Sequence, residues 1–169
     1  MSHEEDLRRI AAQERRLVFD RFGQDEAWAL GCWLRQAGLV LAEGAVLVVD
    51  VSLHRQQMLR LTVGAATPDH DDWVRRKRNT ALHFVRSSYA IGLNLAQQGT
   101  TLEIKSGLPL RDYASHGGSV PLVVKGAGCV GALTVSGLPQ RDDHGLAMAA
   151  LAHVQGRDIS DITLATLAL

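Results

Sequence analysis

The stretch LPLRDYASHGGSVPLVVKGAGCVGALTV, residues 108–135, reads as a glycine-bearing loop followed by two apolar strands. Val120–Lys125 and Cys129–Ser136 are predicted to pair as a hairpin. Lys125, Gly126, Ala127 and Gly128 form its turn, and the glycines supply left-handed backbone there. Just upstream, His116 precedes Gly117 and Gly118. A backbone without Cβ atoms can approach a ligand or another strand closely. The loop therefore presents His116 as the first candidate contact. Ser119, small, leaves the end of the loop open.

Working toward the N-terminus, Ala45–Val51 and Gln57–Gly64 read as a second hairpin, with His54 in its connection. Asp69–Arg86 reads as a helix, with Asp69, Asp71 and Asp72 at its positive end. Ser87 and Ser88 interrupt it and cap a shorter helix from Tyr89 to Gln98. Leu102–Lys105 alternates too briefly to define a strand. Ala27, Leu30, Gly31, Leu34, Ala37, Gly38 and Leu41 mark one face of an earlier helix that Gly44 is expected to end. Trp28 and Trp33 lie off that face, as a second contact surface. Leu7, Ile10, Ala11, Glu14 and Leu17 mark a first helix, and Val18-Phe19 a short strand-like piece. C-terminal to the quoted stretch, Arg141–Val154 is predicted as a helix, its start marked by Asp142 and Asp143. Ile159, Ile162, Leu164, Leu167 and Leu169 form an apolar tail that must cover its own core or dock on a neighbour.

The 169 residues suit one domain, 1–169, with an N-terminal helix and a C-terminal apolar tail. A 46% hydrophobic content argues against disorder. Eighteen basic residues balance eighteen acidic ones, so nothing global points to nucleic acid or a membrane surface. No apolar run is long enough for a signal peptide or a membrane span, and a cytoplasmic protein is expected. Cys32 and Cys129 are expected as two buried free thiols.

Three segments carry a resemblance to a known family: WVRRKRNTALHFVRSS (73–88), YASHGGSVP (113–121) and VGALTVSGLPQRDDHGLA (130–147). Over roughly residues 4 to 156 the chain resembles the UPF0303 family, within the broader GlcG/HbpS group of heme-binding or heme-degrading domains. The resemblance implies an α/β (α+β) class with a profilin-like fold, an antiparallel sheet flanked by helices. It also implies a homo-oligomer and makes heme a candidate cofactor.

The residues frame the chemistry as follows. His116 can ligate heme iron or transfer a proton, and Gly117 and Gly118 can offer backbone donors to an anion. The basic run Arg75, Arg76, Lys77, Arg78, with Arg111, suits carboxylates or phosphates, including heme propionates. Consecutive helical residues rotate by about 100° each, so these four side chains point in different directions. The ligand-binding set is thus His116, Gly117, Gly118, Lys77, Arg78 and Arg111. Asp142, Asp143 and His144 are read as helix-start residues, without a zinc or calcium signature. No serine–histidine–acid arrangement or phosphate loop is present in the spacing. The leading expectation is a small-molecule or heme-binding domain taking an anionic ligand. A heme-degrading enzyme using an external reductant and an oligomeric interaction scaffold are the alternatives, and the sequence assigns no reaction.

Overall fold

A computed structural model describes residues 2–41 and 44–164. Helix α1 (His3–Arg16) is followed by α2 (Gln24–Leu39), the hairpin β1 (Leu47–Leu53) and β2 (Gln56–Val63), then α3 (Pro68–Phe84) and α4 (Ser88–Gln97). A short α5 (Leu102–Ser106), the hairpin β3 (Ser119–Val124) and β4 (Gly128–Ser136), and α6 (Gln140–Val154) complete the order before a single 3-10 turn at Ser160–Ile162. The four strands form one antiparallel sheet in the order β2-β1-β4-β3. This is the profilin-like α/β arrangement that the resemblance implied.

Strand alternation gives the sheet two chemically different faces. On one side Leu47, Val49, Val51, Val120, Leu122, Leu133 and Val135 meet α2 and α6 in the main core. Leu30 and Leu34 of α2 are fully buried there, each worth about 2 kcal/mol of transfer free energy. Gly31 and Gly38 let α2 approach closely: a Cβ on Gly31 would overlap the side chain of Leu59. The other side of the sheet carries Asp50, Ser52, Ser119, Thr134 and Ser136, all buried. Asp50 stands opposite Thr134 across β1 and β4, and Thr134 opposite Ser119 across β4 and β3. The Ser119 and Thr134 hydroxyls are 2.8 Å apart. Helix α3 lies over this polar face, burying Val74, Lys77, Thr80 and Ala81.

Several local expectations change. Helix α2 ends at Leu39, well before Gly44, with Val40 as its cap. Cys32 is exposed and Cys129 half-buried, because Cys32 lies on the outer side of α2 and Cys129 near the open end of the β3–β4 hairpin. Leu102–Ser106 is a single helical turn capped by the Thr101 hydroxyl, which accepts from the Ile104 N–H; Leu102 alone in it is buried. The strand-like Phe19 makes one parallel bridge to Val124, at the outer edge of β3.

Helix α1 and the segment after α6 hold each other. At spacings of four and three residues, Arg9, Gln13 and Arg16 donate to the carbonyls of Thr163, Ile162 and Asp158. Arg16 also forms a two-bond pair with Asp161. Asp6, in the first turn of α1, is buried, where the Arg141 guanidinium holds it with two bonds of 3.0 and 3.1 Å. Ile159 and Leu164 are buried within the molecule. Leu167 and Leu169 lie outside the described residues.

Candidate functional site

The basic run on α3 divides as its rotation requires. Arg75 pairs with Asp112 at 3.0 Å and donates to the Arg111 carbonyl. Arg76 stacks over the Trp73 ring, 4.2 Å from its centroid. Lys77 turns inward to Asp143 at 2.8 Å and reaches the Ser136 hydroxyl at 3.2 Å. Arg78 reaches the polar face of the sheet, donating to Asp50 at 2.9 Å and Ser52 at 3.1 Å. Asp50 also accepts from Gln57 at 2.6 Å. One helical turn therefore supplies a loop anchor, a stacked cation, a buried ion pair and a sheet anchor.

The loop carrying His116 is fixed by α3. Asn79 donates to the Asp112 carbonyl, and the Ala114 N–H donates to both the Thr80 hydroxyl and the Arg76 carbonyl. Gly118 then runs against the sheet: its carbonyl accepts from the Val135 N–H at 2.8 Å. With φ of +122° and the Val135 carbonyl 2.1 Å from where a Cβ would stand, only glycine fits. Gly117 is equally crowded by the Gln140 carbonyl, and its N–H meets the Gln140 side chain at 3.4 Å. Both glycines are buried, so they seat the loop rather than face an open ligand surface.

His116 itself is exposed at the end of this loop, its ring edge-on to Trp73 at 4.9 Å. Partial desolvation, then the charges of Lys77 and Arg76, lower its pKa below the ordinary value. The imidazole is neutral at pH 7, with a lone pair available to a metal centre or a proton. His116 lines a cleft of about 290 Å³ with His70, Trp73, Lys77, Gln140 and Asp143 among its walls. On its other side, with Gln140, it borders a second cleft of about 280 Å³ that reaches Tyr89 and His3. His116 is thus a ridge between two open depressions.

The innermost wall is the Lys77–Asp143 pair. Asp143 is almost fully buried and accepts from Lys77 and from the Leu138 and Gly137 N–H groups. Burial nevertheless pushes its pKa up to about 6. Among the sequence-nominated residues, the structure brings together His116, Gly117, Gly118 and Lys77. Arg78 is engaged by Asp50, and the exposed Arg111 by Asp112; neither lines the cleft. Trp73, His70, Gln140 and Asp143 were not nominated, and Arg76 was named in the basic run but not in the ligand-binding set. His70, Trp73 and Lys77 are spaced three and four apart, so counting helical faces on α3 finds them. Asp143 gives no such signal, since its partner lies 66 residues away. Among the described residues no cluster of three or more His, Cys, Asp or Glu is arranged to hold a metal ion, and no helix is long and apolar enough to cross a membrane.

Comparison with known proteins agrees with this architecture. The profile of the family described as "Haem degrading protein HbpS-like" matches residues 22–152. A UPF0303 protein of Rhizobium meliloti (strain 1021) is 51% identical over 158 residues, covering 94% of this chain and 95% of the relative. The crystal structure of the Ybr137w protein superposes with a TM-score of 0.84 at 28% identity, over 92% of each chain. The structure of a PduOC:heme complex shares the fold, with a TM-score of 0.64 at 20% identity over 78% of this chain and 93% of that one.

Proposed function

The chain belongs to the HbpS-like family, among its UPF0303 relatives, and from that premise we propose that it binds heme or a similar flat, anionic small molecule through His116. The observation that carries this reading is the position of His116. It is a neutral, exposed imidazole on a ridge between two clefts, beside an aromatic ring and a cation that has no ion-pair partner among the described residues. Neither ring nitrogen has a hydrogen-bond partner among the described residues. Each cleft alone is too small to enclose a macrocycle, whereas a flat ligand resting on the ridge would use both. His116 would hold the iron of a bound heme, Trp73 would be an apolar neighbour, and Arg76 the partner for a carboxylate. Bound heme would supply the iron chemistry; the residues here bind and orient. Lys77, committed to Asp143, shapes the cleft wall instead of meeting an anion directly.

The test is an optical titration with hemin, comparing the native chain with His116→Ala. A saturable, stoichiometric change in the heme spectrum, lost in H116A while the far-UV circular dichroism stays unchanged, is expected. No saturable change, or one shared equally by both proteins, rejects the site. We also propose a homo-oligomer. Its support is the exposed apolar surface of Trp28, Leu39 and Val40 along and just beyond α2. Light scattering decides the point, and a single-chain mass would refute it.

A further inference from the structure

A third cavity, of about 500 Å³, lies away from His116, between α1, the end of α3, the outer edge of β3 and α6. Its volume falls in the range of small-molecule sites. The family match, residues 22–152, leaves out α1, which supplies Ala11, Glu14 and Arg15 to the lining.

The interior is apolar. Leu17, Met148 and Leu151 are buried behind it, and Pro121 and Val123 present the edge of β3. Charged groups are confined to Glu14, Arg15 and Arg86. The Glu14 carboxylate is already used: one oxygen accepts from the Ser87 N–H at 2.8 Å, and the other lies 3.5 Å from Arg86. Arg15 is exposed and has no ion-pair partner among the described residues. Two cations therefore stand against one committed carboxylate.

Val85 gives a second, independent observation. It caps α3 in the left-handed region, at φ 50° and ψ 41°, where glycine is the usual residue and a β-branched side chain is strained. Its side chain is half-exposed and lines this cavity. A cap needs no side chain there. Strain of this kind concentrates where a residue meets a ligand.

We propose that this cavity binds a monoanionic amphiphile, an aliphatic or aromatic carboxylic acid. The apolar body would lie against Val85, Met148 and Leu151, with the carboxylate toward Arg15 and Arg86. The site is independent of the His116 cleft.

The probe is dodecanoate, followed through the methionine methyl resonances of the full chain, which has three methionines. A saturable, one-to-one displacement of the Met148 methyl is expected, with Met58, on the opposite edge strand, unmoved. Arg15→Gln, at an exposed side chain, should weaken dodecanoate roughly tenfold, the loss of about one charge-assisted hydrogen bond, and leave dodecanol binding unchanged. Ala11→Trp should fill the cavity from the α1 side and abolish binding, while His116→Ala should leave it intact. A Met148 methyl that stays still to the solubility limit overturns the proposal. So does undiminished binding in A11W with its native circular dichroism retained. A Met148 shift that follows protein concentration and ignores dodecanoate also overturns it, making the cavity a contact between copies of the chain.

Discussion

Lowering the pH from 7 to 3 is expected to remove about 4 kcal/mol of folding stability through His144 alone. Its ring is fully buried on α6. The Gln13 amide donates to the Ile162 carbonyl, so its oxygen faces His144 and accepts from Nε2 at 3.1 Å. That leaves Nδ1 as the bare lone pair, and it has no partner among the described residues. Burial lowers the pKa of His144 to about 3; Asp6 pulls the other way and Arg141 adds to the fall. Because the folded value lies below the unfolded one, the contribution is complete above about 6.5 and is lost as pH falls toward 3. Asp143, the preceding residue, acts in the opposite sense. Its raised value makes the fold favour the protonated carboxyl, so its contribution grows by about 3 kcal/mol as pH falls from 6 toward 3. Asp6, held below the usual carboxylate range by Arg141 against the opposing effect of burial, loses its contribution as pH falls through and below that range. Urea unfolding of native and His144→Gln chains across this range isolates the histidine. The stability difference should move by about 4 kcal/mol in favour of the variant between pH 7 and 3. Parallel curves would show that His144 does not titrate in this way.

The second large effect concerns the wall of the cleft. Lys77→Met should cost about 3–5 kcal/mol, because it leaves Asp143 buried without its counter-ion. The double replacement Lys77→Met with Asp143→Leu should recover most of that loss, since apolar side chains can fill the same space without desolvating a charge. Denaturant unfolding of the three proteins at pH 7 measures both. If K77M left stability unchanged and only weakened hemin binding, Lys77 would be a ligand contact instead of a structural one.

The order of helices and hairpins was legible in the sequence because each element carries its own period. The face of α2 from Ala27 to Gly38 and the hairpin around Gly126 and Gly128 depend on neighbouring residues alone. The loop that carries His116 was also legible, since two adjacent glycines mark a backbone that must fit against something. The polar side of the sheet was not. Asp50 and Ser52 interrupt an apolar strand, and the same pattern describes a solvated face and one covered by a helix. Only the docking of α3 distinguishes them, through Arg78 on Asp50 and Lys77 on Asp143, pairs 28 and 66 residues apart. Rotation showed that Arg75 to Arg78 must diverge, but not which residue meets which carboxylate. The exposed Cys32 has the same cause: small size and apolar neighbours do not say on which side of α2 a residue falls.

The clasp between α1 and the segment around residues 158–164 has a consequence for how the chain is made. The carbonyls that Arg9 and Gln13 hold are 154 and 149 residues further along. At ribosomal rates of about 5–20 residues per second, these two bonds wait roughly 8–30 s for their carbonyls, whereas Tyr89, Ala90 and Leu93 of α4, which pack with Ile10, emerge about halfway through that time. The sheet and the helices on its two faces can assemble in that interval. The earliest helix to leave the ribosome can then rest its apolar stripe on α4 while its polar clasp is among the last contacts to close.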